Sequence, residues 1–357
     1  MNNIGHIIKR IRKEKGLTQE ELAKLLGYAD KSMISHIEKG DSDIAIEKVE
    51  LLIKKLEVEP NELFGEKHIN HQSAPSHIGD FKRYIGIPTT MKYGYYYQKM
   101  VKLPFSEEPE RMVRVWLPED YEFNNPDKRY KVIYFSDGQN LVDRYLSAYG
   151  EWELDKTIHK LMNEGLSGVI LVGLDCPKEP LERTKELCPP YSPRQEVFKR
   201  EGGHFRPYAN MYADYIVNEL KPLIDKIFFT LGDRDNTGIG GSSMGGIMSF
   251  FAYIYRPDAF GFSLSFSPAF FFYKKNDWLE ILDKYDINPN KNGKLFLYCG
   301  GKDFESIFLK PTLNTYEYLE KRGFDNSQLA LIVDTNEIHH EGAWAKYAPD
   351  ALRYWLK

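Results

Sequence analysis

The chain has 357 residues, of which 42% are hydrophobic and 28% charged, with a formal net charge of −4 at pH 7. This length is typical of two domains, and the mild acidity excludes non-specific coating of nucleic acid as the main role of the whole chain while allowing a small DNA-reading module. The three cysteines are too few and too irregularly spaced for a disulfide framework or a zinc site. Neither a signal peptide nor an apolar run of about 18 residues is found, so we expect a cytoplasmic protein that has no membrane partner.

The first 65 residues predict a small helical domain. A first helix is followed by a capping box, formed by Thr18 and Glu21, that starts a second helix. A third helix runs from about residue 31 to residue 40, a fourth follows, and residues 60–64 form a last short turn. Two short helices joined by a glycine-containing turn, inside a five-helix unit, are the layout of an all-α helix-turn-helix domain.

The sequence of the second and third helices resembles the phage-repressor (Cro/XRE-type) DNA-binding domain. Residues 16–23 read Gly-Leu-Thr-Gln-Glu-Glu-Leu-Ala, and residues 34–40 read Ile-Ser-His-Ile-Glu-Lys-Gly. The resemblance covers nearly all of residues 4–65 and implies that the domain binds a double-stranded DNA operator as a homodimer. It also implies one phosphate contact from the second helix and four major-groove contacts from the third: Gln19, and then Lys31, Ser32, Met33 and His36.

Two features of this domain bear on DNA binding. Basic residues cluster on or near the first helix, and such a patch can follow phosphates even though the charges of residues 1–65 nearly balance. The turn before the third helix is one residue longer than the commonest turn of the family. The assignment of the base-reading residues is therefore open by one position along the chain. A helical bundle used for dimerisation is the alternative interpretation.

Residues 66–81 are polar and lack periodicity, which predicts a linker. A second domain follows over residues 82–357. Eight strands are predicted in it, at residues 95–103, 111–117, 131–136, 168–174, 237–241, 262–266, 294–299 and 329–333. Helical segments separate most of the later strands, so we expect a three-layer α/β domain around a mostly parallel central sheet.

A nucleophile elbow is predicted at residues 241–245, which read Gly-Ser-Ser-Met-Gly and match the G-x-S-x-G pattern. Such an elbow is a sharp turn from a strand to a helix that exposes a serine Oγ. Glycines flank the serine because a Cβ would collide with the neighbouring backbone. A short buried strand is predicted before this segment and a helix after it, so we expect Ser243 to be a nucleophile. A glycine-rich structural turn is the alternative.

A serine hydroxyl needs a base within hydrogen-bond reach, and that base needs an orienting carboxylate. The chain order in α/β-hydrolases is serine, acid, histidine, and the histidines after Ser243 are His339 and His340. The acid is expected after the strand at 294–299, where Asp303 comes first and Glu305 second. The residues by themselves leave both choices open.

Several segments of the second domain resemble the esterase D/feruloyl-esterase-like family of α/β-hydrolases. They include Asp-Gly-Gln-Asn at 137–140, the elbow, and His-His-Glu-Gly-Ala-Trp at 339–344. The resemblance covers about residues 95–357 and implies Ser243 as nucleophile and Asp303 as acid. The family's H-x-E-x-x-W pattern implies His339 as base, with His340 in the variable position. This chemistry requires neither a metal nor an organic cofactor.

An oxyanion hole needs two N–H groups aimed at the carbonyl oxygen on which charge develops. The backbone N–H of Met244, directly after the nucleophile, is one candidate. The second is expected in the loop after the third strand, and we assign it to Gln139.

Two further loops are expected to overhang the site, one with Arg183, Glu186 and Tyr191 and one with residues 204–206. These loops either recognise an aromatic acyl or sugar group or are ordinary polar surface, and the sequence favours neither interpretation. Together the patterns predict a serine carboxylic-ester hydrolase, acting on a small ester, fused to a sequence-specific DNA-binding domain. Such a protein would be a ligand-linked transcription regulator. The alternative is a regulator whose hydrolase-like domain only senses a ligand or dimerises.

Overall fold

A computed structural model describes residues 4–42, 44–56, 58, 74–86, 88–191 and 206–357. The chain divides into two compact units, one holding the N-terminal helices and the other the C-terminal sheet. Among the described residues, no helix is both long and apolar enough to span a membrane.

The described part of the N-terminal unit is helical. Its helices are α1 (Ile4–Glu14), α2 (Gln19–Leu26), α3 (Lys31–Lys39) and α4 (Ile46–Leu56). Apolar side chains from all four form one core, with Leu22, Leu26 and Leu52 fully buried. The predicted last turn at residues 60–64 lies outside the described residues.

The local signals that end and begin these helices act as the sequence predicts. Thr18 accepts a hydrogen bond from the N–H of Glu21, and the Glu21 carboxylate accepts one from the N–H of Thr18, which completes the capping box. Gly27 and Gly40 follow α2 and α3 with φ of 70° and 82°, a left-handed conformation that costs glycine little.

The C-terminal unit is built on a ten-stranded sheet with the order β1-β2-β3-β4-β6-β5-β7-β8-β9-β10. The strands are β1 (His77–Ile78), β2 (Phe81–Arg83), β3 (Tyr95–Lys102), β4 (Glu110–Leu117), β5 (Lys131–Ser136), β6 (Val169–Leu174), β7 (Thr237–Ser242), β8 (Phe262–Phe266), β9 (Lys294–Gly300) and β10 (Leu329–Asp334). The first four pair antiparallel, and the strands from β6 to β10 in the sheet order pair parallel.

All eight predicted strands are present in this sheet. The sequence missed β1 and β2, which pair with each other and with β3. The sheet therefore begins inside residues 66–81, the segment predicted to be a linker. Both strands are very short, so neither carries an alternation pattern that a sequence can reveal.

Helices cover this sheet in a three-layer α/β arrangement. They are α5 (Leu154–Asn163), α6 (Pro180–Leu187), α7 (Ala209–Tyr215), α8 (Lys221–Ile227), α9 (Met244–Tyr255), α10 (Lys275–Lys284), α11 (Ser306–Lys321) and α12 (Glu341–Leu356), with one π turn (Ile216–Leu220) joining α7 to α8. α5 packs against α12, and α6 and α7 pack against α9.

The order of the parallel strands decides where a site can form. β5, β7, β8, β9 and β10 are consecutive neighbours, so the loops at their carboxyl ends emerge side by side along one edge of the sheet. The loops after these strands carry, in that order, Gln139, Ser243, Ser267, Glu305 and His339.

Candidate active site and nucleic-acid interface

Ser243 occupies a strained turn between β7 and α9. Its φ and ψ are 58° and −117°, outside the regions that non-glycine residues favour. Its N–H donates to the carbonyl of Phe266 at 2.9 Å, and its carbonyl accepts from the N–H of Ala269 at 3.1 Å. The two bonds anchor the turn to the end of β8 and to the loop that follows it. This geometry is that of a nucleophile elbow.

The glycines around Ser243 are required by close backbone contacts. A Cβ on Gly241 would stand 2.6 Å from the carbonyl carbon of Gly245, and a Cβ on Gly246 would stand 2.5 Å from the carbonyl oxygen of Phe266. Any larger residue at either position would push α9 away from β7 or β8. The glycines thus allow the helix to start directly at the end of the strand.

His339 contacts a carboxylate, and that carboxylate belongs to Glu305. Its Nδ1 lies in short hydrogen-bond contact with Oε2 of Glu305, whose side chain is fully buried. A proton held on Nδ1 by the carboxylate leaves Nε2 as the acceptor, which is the tautomer that a general base needs.

Asp303, the acid implied by the family resemblance, is placed elsewhere. It is exposed, with φ of 55°, at the start of a short 3₁₀ turn (Asp303–Glu305). This turn begins three residues after the end of β9, directs its third residue, Glu305, inward to His339 and leaves Asp303 at the surface. The structure thus contradicts Asp303 as partner of the histidine and places the second candidate there.

A set of buried groups fixes the Glu305 carboxylate. Its Oε1 accepts hydrogen bonds from the hydroxyl of Ser267 and from the N–H of Gly300, the latter at 2.9 Å. Trp344 donates its indole N–H to the same hydroxyl at 3.0 Å. A buried carboxylate is costly unless it is hydrogen-bonded, and these donors meet that need.

Three aromatic rings hold the imidazole of His339. Phe308 stacks on it at a centroid distance of 4.5 Å, and Phe304 and Trp344 meet it edge-on at 5.5 Å and 5.0 Å. His340, the other candidate base, is half exposed, and its Nδ1 accepts from the N–H of Gly342 at the start of α12. It therefore caps a helix, and the ring held by the carboxylate is His339.

The predicted oxyanion donors lie on two adjacent loops. Met244 is the first residue of α9, and the first N–H groups of a helix have no partner within it. Gln139 lies in a 3₁₀ turn (Gly138–Asn140), and its side-chain amide exchanges two hydrogen bonds with Cys176. Burial and the nearby carboxylate of Asp137 raise the pKa of Cys176 to about 11, so this thiol stays protonated.

An ion pair braces the turn that carries Gln139. Asp137, with φ of 57°, accepts two hydrogen bonds of 2.7 Å from the guanidinium of Arg183 on α6. Burial by itself would lower the pKa of Arg183, but the charge of Asp137 outweighs it and the net shift is upward. The position for a Cβ on Gly245 lies 3.4 Å from Oδ2 of Asp137, so the pair also borders the elbow.

The residues of the loops predicted to overhang the site lie in different environments. Arg183 faces the turn at Asp137, whereas Glu186 is buried and pairs with Arg111. Glu186 is therefore an internal ion-pair partner, which corrects the expectation that it overhangs the site. Residues 204 and 205 lie outside the described residues. Within the ranges that the structure describes, no group of three or more His, Cys, Asp or Glu side chains is arranged to hold a metal ion.

In the N-terminal unit, α3 presents a polar surface to solvent. The four predicted base-reading side chains are exposed, and they include an apolar one, Met33 at 42% exposure. The predicted residues are Lys31, Ser32, Met33 and His36. Their position on one exposed helix is compatible with a recognition helix, and their DNA contacts stay a prediction.

Gln19, the predicted phosphate contact, makes a contact within the unit. Its side-chain amide donates a hydrogen bond to Glu38 at 2.8 Å. The carboxylate of Glu38 also accepts two hydrogen bonds from the guanidinium of Arg12. Burial would raise the pKa of Glu38, but these hydrogen bonds and the charge of Arg12 lower it overall. The network ties α1, α2 and α3 together.

These two units define a class of protein, a helix-turn-helix domain joined to an α/β domain with an esterase-like elbow. Residues 106–323 match the family described as "Putative esterase", and residues 8–63 match the helix-turn-helix family. The chain belongs to this esterase family and carries an N-terminal helix-turn-helix domain.

Three similar proteins show what this chain resembles. The uncharacterized protein YbbA of Bacillus subtilis is 24% identical over 253 residues, 69% of this chain and 92% of that protein. An IroE-like serine hydrolase from Shewanella oneidensis has a TM-score of 0.57 at 18% identity, over 73% of this chain and 80% of that one. The feruloyl esterase module from Clostridium thermocellum has a TM-score of 0.52 at 18% identity, over 73% and 88% of the two chains. At these identities the two structures show a shared fold.

Proposed function

We propose that this protein is a serine carboxylic-ester hydrolase with the triad Ser243, Glu305 and His339. The observation that carries the proposal is the buried Glu305–His339 pair on the loops that follow β9 and β10. The elbow of Ser243 lies on the same edge of the sheet. The end of β8 and the loop after it connect the two, because the carbonyl of Phe266 accepts from the N–H of Ser243 and the hydroxyl of Ser267 donates to Glu305.

The reaction follows from these roles. His339 removes the proton of the Ser243 hydroxyl as the oxygen attacks the ester carbonyl, and the N–H groups of Met244 and Gln139 stabilise the resulting oxyanion. The imidazolium then gives its proton to the departing alcohol, which leaves an acyl-enzyme. Water, deprotonated by His339, releases the acid and restores the serine.

Hydrolysis of p-nitrophenyl acetate and butyrate tests the proposal. We expect a burst of p-nitrophenolate, because the acyl-enzyme accumulates, and loss of the burst in Ser243→Ala. Ser242→Ala, which removes the neighbouring hydroxyl of the same turn, is the matched control and should retain the burst. Equal rates for wild type and Ser243→Ala across both acyl lengths would exclude the catalytic role and leave a ligand sensor.

For the N-terminal unit we propose sequence-specific binding of double-stranded DNA by a homodimer, with ligand-linked control of transcription as its role. The exposed face of α3 supports the proposal. Selection from a randomised duplex library gives the operator, and titration in salt gives the number of phosphate contacts. Lys31→Ala should weaken binding, whereas Lys54→Ala, an exposed lysine of α4, should leave it unchanged. Binding of all sequences with equal affinity would contradict the proposal.

A further inference from the structure

Large apolar side chains are exposed beside the histidine of the candidate site. Phe304 is 59% exposed, and Ile307 and Ile338 are each 43% exposed. We call these three residues the apolar rim. Single exposed apolar side chains are common on protein surfaces. Several of them next to a candidate catalytic residue indicate a ligand-binding surface.

The apolar rim is brought together by the same contacts that build the site. Phe304 precedes Glu305 and Ile338 precedes His339, and the side chains of Glu305 and His339 are in hydrogen-bond contact. The backbone of Gly301 and Lys302 donates to the carbonyl of Glu337, which joins the two loops again.

Phe308 lies beneath the apolar rim. It is buried, stacks on the imidazole of His339, and meets Phe304 at a centroid distance of 5.5 Å. Ile307 and Phe308 lie in the first turn of α11, which follows the 3₁₀ turn that holds Phe304. Phe304 also meets the imidazole directly, edge-on at a centroid distance of 5.5 Å, so an exposed apolar side chain borders the ring.

The position beside His339 selects one half of an ester. In the proposed reaction the imidazolium gives its proton to the oxygen of the departing alcohol, so that oxygen must lie within hydrogen-bond distance of Nε2. The acyl carbonyl instead lies toward Met244 and Gln139, on the loops after β7 and β5. A surface continuous with the imidazole thus lies on the side of the alcohol.

We propose that the apolar rim binds the alcohol half of the substrate, and that this half is an apolar or aromatic alcohol. The inference rests on the proposed function and adds the chemical class of the leaving group. Burying such a group against the rim removes apolar surface of both partners from water, which favours the esters that carry it.

Acetate esters of different alcohols test the proposal. Ethyl acetate and benzyl acetate give the same acetyl-enzyme, so the ratio of their kcat/KM values, followed as acetate release in a pH-stat, reports the alcohol half. We expect wild type to prefer benzyl acetate by about tenfold or more. In Phe304→Ala and Ile338→Ala this ratio should fall several-fold, because kcat/KM falls further for benzyl acetate than for ethyl acetate.

Met100→Ala is the matched control. Met100 is 51% exposed on β3, at the opposite side of the sheet order from β9 and β10, so this variant should keep the benzyl preference. An unchanged preference in both rim variants would overturn the proposal, as would an equal loss for both esters. The proposal would also be overturned if the rim variants lost activity according to acyl length, with different losses for p-nitrophenyl acetate and butyrate, because the rim would then contact the acyl half.

Other occupants give distinct results. If a second copy of this chain covers the rim, Phe304→Ala changes the oligomeric state in sedimentation and leaves the ester ratio unchanged, which overturns the proposal. If the proposed function itself fails, none of the esters shows hydrolysis that depends on Ser243. A protein that cleaves ethyl acetate through Ser243 without preferring benzyl acetate keeps the function and loses this inference.

Discussion

At the scale of single residues, the choice between Asp303 and Glu305 shows what fixes a triad. Both carboxylates follow β9 within a few residues, so chain order cannot separate them. Both residues belong to one 3₁₀ turn, which directs Asp303 outward and Glu305 inward. The longer side chain of Glu305 then reaches His339 while accepting bonds from Ser267 and Gly300.

Replacing Glu305 with glutamine tests this assignment. The amide keeps the shape of the side chain but can no longer hold the proton on Nδ1 or stabilise the imidazolium, so kcat should fall by about 10³–10⁴-fold. Asp303→Asn is the control and should stay within about twofold of wild type, because surface substitutions of this kind change little. The measurement is kcat for p-nitrophenyl butyrate. A loss confined to Asp303→Asn would restore Asp303 as the acid.

At the scale of elements, the Arg183–Asp137 pair links α6 to the turn that carries Gln139. The guanidinium binds both carboxylate oxygens, and a lysine cannot reproduce that planar contact. Arg183 touches no reacting atom in this scheme, so we regard it as a positioning residue. Its effect should appear in the transition state, in which the oxyanion forms, rather than in substrate binding.

We therefore expect Arg183→Lys to lower kcat about 10–100-fold with little change in KM. A trifluoromethyl ketone, which forms an oxyanion on Ser243, should lose affinity by a similar factor. Guanidinium ion added to Arg183→Ala should restore part of kcat. Arg256→Lys, which alters another bidentate pair with Asp258 at the end of α9, is the control. A rise of KM at constant kcat would instead place Arg183 in substrate binding.

The three helices joined by Glu38 should respond to acid. The pKa of Glu38 is below its usual 4.5 in the folded unit, so ionised Glu38 stabilises the fold above that value. This stabilisation is lost as the pH falls through the lowered pKa. Hydrogen exchange of the α1–α3 amides, compared between wild type and Glu38→Gln at each pH, should show a difference at pH 6 that shrinks toward pH 3. A constant difference would mean that Glu38 does not titrate with unfolding.

At the scale of elements, features that depend on local sequence could be predicted, and long-range pairs could not. The capping box of Thr18, the eight longer strands and the elbow depend on local patterns, and the structure has them where the sequence predicts. The pairing of Arg183 with Asp137 joins residues 46 positions apart, and no local pattern encodes it. The burial of Glu186 likewise depends on Arg111, a partner 75 positions away.

At the scale of the whole molecule, the two units have separate cores. The helical core is formed by residues of α1–α4 and a few neighbours, and the sheet has its own buried layers. A fusion of this kind gives regulation if a ligand on one unit changes the affinity of the other. That coupling is reciprocal for equilibrium binding, which gives a strict test.

We expect a trifluoromethyl ketone bound at Ser243 to change the Kd of the selected operator by at least about fivefold. Saturation with the operator should then change the Kd of the ketone by the same factor. Fluorescence anisotropy of labelled duplex and inhibition titrations measure the two quantities. In Ser243→Ala the ketone forms no hemiketal, so the operator affinity should not respond to it. An operator Kd that is the same with and without saturating ketone would contradict regulation, because a ligand without differential affinity for two states shifts neither of them. The helix-turn-helix domain would then act by holding an independent esterase on DNA.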